Sequence, residues 1–263
     1  MSETTHVAPD STKPADRPIR GFDTFLAVLA AVGVSLVVGG VVGIVIGLLF
    51  AVQKLPGNPS ELLQTDFTWV VGFTTGINAI ILAALWGIAK RFAARPWEYF
   101  FPAVPARTLF RAAISSLVLA AFCLALEAAL KYGLHISINV AKSEEAMNPK
   151  SWSQLGIVLV FFAAFVPFYE EVLFRGFIFG WLRRVTPVWV AIIESAAIFA
   201  AVHGLYYTRG GVSGWVGTGE IFAIGVLMAW WVARTNSLRP AYTVHLINNA
   251  IAFCMAFALP NWP

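Results

Sequence analysis

Long apolar segments alternate with short polar connections along most of the chain. Seven of these segments are apolar enough to be membrane spans, since a bilayer core takes about 20 apolar residues per helix. The segments cover residues 25–52, 67–89, 108–130, 155–180, 187–203, 220–233 and 238–259. This pattern predicts an all-α fold, a polytopic membrane helix bundle of about seven (7–8) transmembrane helices.

The composition excludes other classes of protein. Of the 263 residues, 59% are hydrophobic and 12% are charged, and the mean hydropathy is +0.75. A soluble domain carries about 25% charged residues, so neither a soluble globule nor a disordered chain is expected. Cys123 and Cys254 lie in apolar runs and predict no disulfide framework. No basic stripe is present, so we expect membrane lipid rather than nucleic acid as a partner.

The distribution of charge predicts the orientation in the membrane. Residues 1–21 are polar, and we expect them to form a disordered cytoplasmic tail before a transmembrane bundle of residues 22–263. The tail, the 90–111 loop, the 183–184 pair and the 234–239 loop hold twelve Lys and Arg, whereas the opposite connections hold five. This bias predicts a cytoplasmic N-terminus and an external C-terminus. The short loops favour a prokaryotic inner (cell) membrane.

The fourth segment contains three ionisable residues, and such residues inside a bilayer usually mark function. Arg175 lies four residues after Glu171, so the two side chains share a helix face and can neutralise each other. Glu170 points about 100° away from Glu171. Glu170 is therefore the carboxylate available to act as a general base. The alternative is a structural role, in which both carboxylates share Arg175.

Two further pairs of polar or aromatic residues follow at helical spacing. Phe199 and His203 share one face of the fifth segment, and His245 and Asn249 share one face of the seventh. A His and an Asn side by side can donate two hydrogen bonds to one oxyanion. Counted from the turn after Arg184, Glu170 and His203 lie at similar depths, about 20 and 24 Å along their helices. The segments therefore predict one polar cluster within the membrane.

These motifs together resemble the CPBP family, the CAAX prenyl protease and bacteriocin-processing proteins that are also called the Abi family. The similarity rests on Glu170-Glu171-x-x-x-Arg175, Phe199-x-x-x-His203 and His245-x-x-x-Asn249, in this order on successive helices. It covers about residues 150–258, the expected catalytic core. The resemblance implies an intramembrane endopeptidase, a hydrolase whose site opens to the cytoplasm. Its substrate would be a prenylated CAAX-type peptide or another membrane-associated peptide or protein.

The resemblance also implies roles for individual residues. Glu170 and His203 would activate a water, and His245 and Asn249 would form the oxyanion hole, with Glu171 and Arg175 in support. Members were first described as metalloproteases, and Glu170, His203 and His245 could ligate zinc through nitrogen and oxygen. The sequence contains no HExxH motif, and Asn is an uncommon zinc ligand. We therefore favour direct activation of the water, with no cofactor required, over a divalent metal.

Other interpretations stay open. Gly211-Val-Ser213-Gly214 resembles the rhomboid serine-protease motif, but His245 follows the serine instead of preceding it, and Ser213 is expected in a polar loop. A transporter, a membrane adaptor or an immunity protein could also use a polar cluster. Glu127 and Glu194 do not extend the cluster into an obvious proton path, so we expect them to contact other helices or to lie at the membrane interface.

Overall fold

The computed structural model describes residues 17–53, 67–135, 147–207 and 211–258, and these residues form a helical bundle. Its helices, in chain order, are α1 Gly21–Gln53, α2 Phe67–Ala89, α3 Pro96–Phe100, α4 Ala106–Gly133, α5 Trp152–Val185, α6 Val188–Tyr207, α7 Val212–Thr235 and α8 Leu238–Ala258. Six of them are long and apolar enough to cross a membrane, and α6 holds a shorter apolar stretch, Val188–Gly204. The predicted all-α membrane bundle is confirmed.

The sixth predicted segment begins too late. Helix α7 starts at Val212, eight residues before the predicted start at residue 220. Ser213 is therefore buried in the first turn of a helix, and its expected place in a polar loop is wrong. The reason is that glycines and hydroxyl residues lower the hydropathy of this stretch, although small residues suit close helix packing in membranes. Thr218 lies against Gly204 of α6 in this way.

The structure also changes the boundary of the N-terminal tail. Residues 1–16 lie outside the described residues, but residues 17–20 pack against the bundle. Ile19 is buried, and the backbone N–H of Arg17 donates to the carbonyl of Phe92 over 2.9 Å. Asp23 accepts hydrogen bonds from the Arg17 guanidinium, which raises the pKa of Arg17. The expected disordered tail therefore does not reach residue 21, because these contacts hold residues 17–20 in place.

Helix α5 is the inner helix of the bundle. Every residue from Glu171 to Phe179 is buried, including the charged side chains of Glu171 and Arg175. Two stretches of α5 widen into π-helix, Leu159–Phe165 and Glu171–Phe179. Such widening is rare and occurs frequently at functional sites.

Pro167 disturbs the backbone hydrogen bonding of α5. In a π-helix the N–H of the residue at position 167 would donate to the carbonyl of Phe162. Proline has no backbone N–H, so this hydrogen bond is missing. Helix α8 supplies the missing donor, since Asn249 Nδ2 lies 3.0 Å from Phe162 O. The hydroxyl of Tyr242 donates to Ala164 O over 3.2 Å in the next turn. Side chains of a neighbouring helix thus satisfy these backbone carbonyls of α5, as membrane helices with proline require.

The connections that are rich in Lys and Arg lie at one end of the bundle. The hydroxyl of Ser237 donates to Pro102 O over 2.8 Å, and Arg239 Nε donates to Phe101 O over 2.8 Å. Arg183 Nη1 donates to Asn236 Oδ1 over 2.8 Å, and residues 17–20 reach the same end through Phe92. The four segments that the charge count grouped together are therefore neighbours in space.

The side of the membrane at which this end lies stays a prediction, and the two ends of α4 offer a matched test. In a variant without Cys123 and Cys254, Ala103→Cys places a thiol before α4 and Leu134→Cys places one after it, both at exposed positions. If the N-terminus is cytoplasmic, an impermeant thiol reagent added to intact cells will label only Leu134→Cys. Ala103→Cys will react after the cells are permeabilised. Labelling of Ala103→Cys alone in intact cells would reverse the orientation.

Candidate active site

Helices α5, α6 and α8 bring three of the predicted residues together around one carboxylate. His203 Nε2 lies 3.7 Å from Glu170 Oε1, and His245 Nε2 lies 3.4 Å from Glu170 Oε2. Each carboxylate oxygen of Glu170 thus faces a different imidazole. The side chains of Glu170 and His245 are buried, whereas 30% of the His203 side chain is exposed. The cluster is therefore reached from the side of His203.

Glu171 pairs with Arg175, as their spacing predicts. Arg175 Nη1 lies 3.3 Å from Glu171 Oε1, and both side chains are fully buried. The sequence did not predict that the same oxygen also contacts His245 Nδ1, at 2.9 Å. The two carboxylates of α5 therefore face opposite nitrogens of one imidazole on α8.

Two more contacts hold the Arg175 guanidinium. Its Cζ lies 4.2 Å from the ring centroid of Phe199, and Nη2 donates to Gly225 O over 3.3 Å. Phe199 also meets the His245 ring edge to face, with 5.6 Å between centroids. Its ring centroid also lies 4.5 Å from that of His203, so Phe199 has a packing role at the site.

Backbone and carboxylate contacts determine which ring nitrogen of each histidine carries a proton. His203 Nδ1 lies 2.8 Å from Phe199 O, and a carbonyl only accepts, so Nδ1 must donate. His245 Nδ1 likewise donates to the Glu171 carboxylate. In the neutral form of either ring, Nε2 is then a hydrogen-bond acceptor turned toward Glu170. A hydrogen bond donated by Nδ1 to a carbonyl or carboxylate commonly sets the tautomer and the orientation of a histidine ring.

Asn249 is held differently from the other predicted site residues. One amide N–H is used by Phe162 O, beside Pro167. The second N–H of the same group has no role in that bond and can serve another acceptor. The structure therefore gives Asn249 a clear part in holding α5 and α8 together, and its part in an oxyanion hole stays a prediction.

Sequence reasoning missed Tyr169. Its hydroxyl donates to Glu170 Oε1 over 3.3 Å. Adjacent residues on a helix point in different directions, so the spacing gave no reason to join them. The length of the tyrosine side chain closes the gap. A phenol immediately before a pair of glutamates was the available signal.

The other membrane carboxylates lie outside this cluster. Glu127 of α4 and Glu220 of α7 lie close enough to interact with each other. Glu194 of α6 keeps one buried oxygen without a hydrogen bond among the described residues. The expectation that Glu127 contacts another helix agrees with the pairing to Glu220.

The zinc alternative concerns the same three side chains, Glu170, His203 and His245. Within the described part of the chain, no group of three or more His, Cys, Asp and Glu is placed to hold a metal ion. The second ring nitrogen of His245, Nδ1, contacts the carboxylate of Glu171. Such a contact is made both by histidines that bind a metal and by histidines that do not. Metal dependence therefore stays a prediction, and the mechanism below follows the metal-free activation of water that the sequence analysis favoured.

The comparison with known families gives one match. Residues 152–251 match the family model described as type II CAAX prenyl endopeptidase Rce1-like. This stretch of the chain is therefore similar to an Rce1-like domain. The domain contains every predicted site residue from Glu170 to Asn249, and it confirms the similarity to CPBP proteins over that range. No curated protein and no solved structure matches the chain. Together with its apolar helices, the domain identifies an integral membrane protein.

The Arg175–Glu171 pair gives a testable prediction about stability. Arg175→Ala leaves Glu171 buried in α5 without its guanidinium, and breaking a buried pair costs about 3–5 kcal/mol. Arg95→Ala is the matched control, because Arg95 and Glu98 form an exposed pair of 2.7 Å and such pairs contribute about 0–1 kcal/mol. Thermal unfolding in detergent is the measurement. Equal melting of the two variants would contradict the role assigned to Arg175.

Proposed function

We propose that the chain is a CPBP-type intramembrane endopeptidase in which Glu170 and His203 activate a water. The observation that carries the proposal is the convergence of two imidazole Nε2 atoms on the Glu170 carboxylate inside a membrane bundle. A contact of 3.7 Å is too long for a direct hydrogen bond, and polar groups at this separation are commonly joined by a water. The space between Glu170 and His203 is thus a suitable position for the nucleophile.

The acceptors at this position suit a water that loses a proton. Glu170 accepts a hydrogen bond from one O–H of the water, and His203 Nε2 accepts a hydrogen bond from the other. Nε2 is free to accept because His203 Nδ1–H donates to Phe199 O. When the water oxygen bonds to the peptide carbonyl carbon, its proton passes to Glu170. The same proton then goes to the nitrogen of the leaving amine as the C–N bond breaks. Glu170 thus acts first as general base and then as general acid.

His245 and Asn249 supply the donors for the oxyanion in this proposal. His245 Nδ1–H is committed to Glu171, so Nε2 donates only when the ring is an imidazolium. In that state the carboxylates of Glu170 and Glu171 are balanced by the cations of Arg175 and His245. A balanced set of buried charges avoids the cost of an unpaired ion in the membrane. The second donor is the amide N–H of Asn249 that Phe162 leaves unused.

The proposed substrates are membrane-associated. The Rce1-like domain supports a CAAX-type endopeptidase in general, and a prenylated peptide is the first candidate. A peptide or membrane-protein segment delivered from the bilayer would reach His203, the exposed member of the cluster. A prokaryotic inner membrane remains the proposed location. Purified protein and a quenched prenylated peptide, assayed with and without a chelator, would test both the activity and the metal-free mechanism.

A non-enzymatic adaptor or immunity protein of the same fold is the second candidate function. It is favoured by the Arg175–Glu171–His245 contacts, because these would hold the bundle together without any reaction. A transporter has less support, since Glu127 pairs with Glu220 away from Glu170. The variants below separate the adaptor from the protease.

Removal of the base gives the sharpest test of the protease. Glu170→Gln keeps the shape of the side chain but cannot accept the proton, so cleavage should fall to background while the protein stays folded. His203→Ala should have a similar effect, and the double variant should be hardly worse, because residues that act as a unit give non-additive losses. Glu194→Gln on α6 is the control and should cleave normally. Full cleavage by Glu170→Gln would sink the mechanism, and a normal cellular phenotype without cleavage would favour the adaptor.

Asn249 is tested against Tyr242, which also donates from α8 to a carbonyl of α5. We expect Asn249→Ala to lose about 10²–10³-fold in turnover, the usual effect of one oxyanion donor, with substrate binding retained. Tyr242→Phe removes a comparable contact with Ala164 O and should retain turnover. Turnover and thermal unfolding are measured for both. If the two variants lose similar stability and Asn249→Ala keeps its turnover, Asn249 only holds the helices together.

A further inference from the structure

A large apolar groove lies on the outer side of the bundle, away from the Glu170 cluster. Its volume is about 630 Å³, within the range of about 300–1,000 Å³ that is typical of ligand sites. Helices α4 and α6 form its walls and α7 its floor. The apolar lining includes Ile114, Val118, Phe122, Ile192, Ala223 and Leu227.

None of the described residues covers the groove, which lies open on the outer face of the bundle. Val118 and Phe122 of α4 are each 64% exposed, and both lie within a candidate membrane span. Helix α4 packs mainly on α8, so among the helices that the structure describes none fills its side toward α6. Apolar side chains at this depth meet lipid, so a hydrocarbon chain is the occupant that the lining suits.

One end of the groove carries two guanidinium groups. Arg111 is part of the lining, and Arg234 lies over the ring of Trp230, another lining residue, with 5.1 Å from Cζ to the ring centroid. The hydrogen bond from Trp231 Nε1 to Ser115 Oγ, 3.0 Å long, joins α7 to α4 at this level. Both arginines are therefore at the end of the bundle where the Lys- and Arg-rich connections lie. No acidic residue lines the described part of the groove.

This charge pattern indicates the ligand. We propose that the groove binds an anionic phospholipid, with an acyl chain along the apolar lining and the phosphate between Arg111 and Arg234. Basic pockets between transmembrane helices are known to bind anionic headgroups, and tryptophan is enriched at the level of the headgroups. A zwitterionic lipid offers the same chain but no net charge for the two arginines. The site is separate from the proposed catalytic cluster and does not depend on its activity.

Retention of lipid by the purified full chain tests the proposal. Phosphatidylglycerol and phosphatidylcholine with the same acyl chains are added to the protein in detergent, and bound lipid is measured by native mass spectrometry and by thermal shift. Wild type should retain and be stabilised by phosphatidylglycerol more than by phosphatidylcholine. Arg111→Gln/Arg234→Gln should weaken phosphatidylglycerol binding by roughly 30-fold, from the usual effect of two basic residues near a membrane surface.

The control variant removes two positive charges from the same end of the bundle. Arg20 and Lys90 are exposed and lie by α1 and α2, so Arg20→Gln/Lys90→Gln should bind phosphatidylglycerol like wild type. Ala223→Trp fills the groove while leaving both arginines in place and should abolish retention of the lipid. If Ala223→Trp without lipid melts at a lower temperature than wild type, Val118→Trp, at an exposed position on α4, is used as the variant that fills the groove.

Three outcomes would overturn the proposal. Equal retention of the two lipids would show that the arginines do not select a headgroup. Unchanged binding by the filled-groove variants would place the lipid elsewhere. A stable dimer of wild type that becomes monomeric in Ala223→Trp would identify a second copy of the chain as the occupant instead.

Discussion

The need to neutralise charge inside a membrane governs the arrangement of this protein. Glu171 is fully buried, and it is held by Arg175 of the same helix and His245 of α8. A buried carboxylate that lost either partner would cost several kcal/mol. These contacts orient His245, and His245 in turn faces Glu170, the carboxylate that the proposed reaction uses. The Arg175–Glu171 ion pair and the Glu170 carboxylate thus contact the same imidazole. The ion pair therefore fixes the position of His245 relative to Glu170.

The backbone of α5 meets a related constraint. Pro167 and the π-helical turns disturb the regular hydrogen bonds of this helix, and no water is present in a bilayer core to replace them. Asn249 and Tyr242 donate to the carbonyls of Phe162 and Ala164 instead. This repair brings α8 close to α5 just where Glu170 and Glu171 follow in the chain. The distortion of one helix therefore explains why another helix that carries His245 lies beside it.

Regular spacing made part of the site predictable from the sequence. The four-residue steps correctly paired Glu171 with Arg175, and counting residues from the turns correctly placed Glu170 and His203 at similar depths. The contact between His245 and Glu171 was not predictable, because it depends on the rotation of α8 about its axis. The start of α7 was missed because hydropathy undervalues Gly and Ser in a packed membrane helix, as at Ser213. The Phe162 contact of Asn249 depends on a π-helical turn, which has no simple sequence period.

Helix α7 connects the inner and outer sides of the bundle. Gly225 accepts a hydrogen bond from Arg175 and packs against Ala196 of α6, where an added Cβ would lie 3.1 Å from the alanine Cβ. The next two residues, Val226 and Leu227, turn to the opposite side and line the apolar groove. Because successive residues of a helix point in different directions, one short stretch of α7 both accepts the hydrogen bond from Arg175 and lines the proposed lipid site.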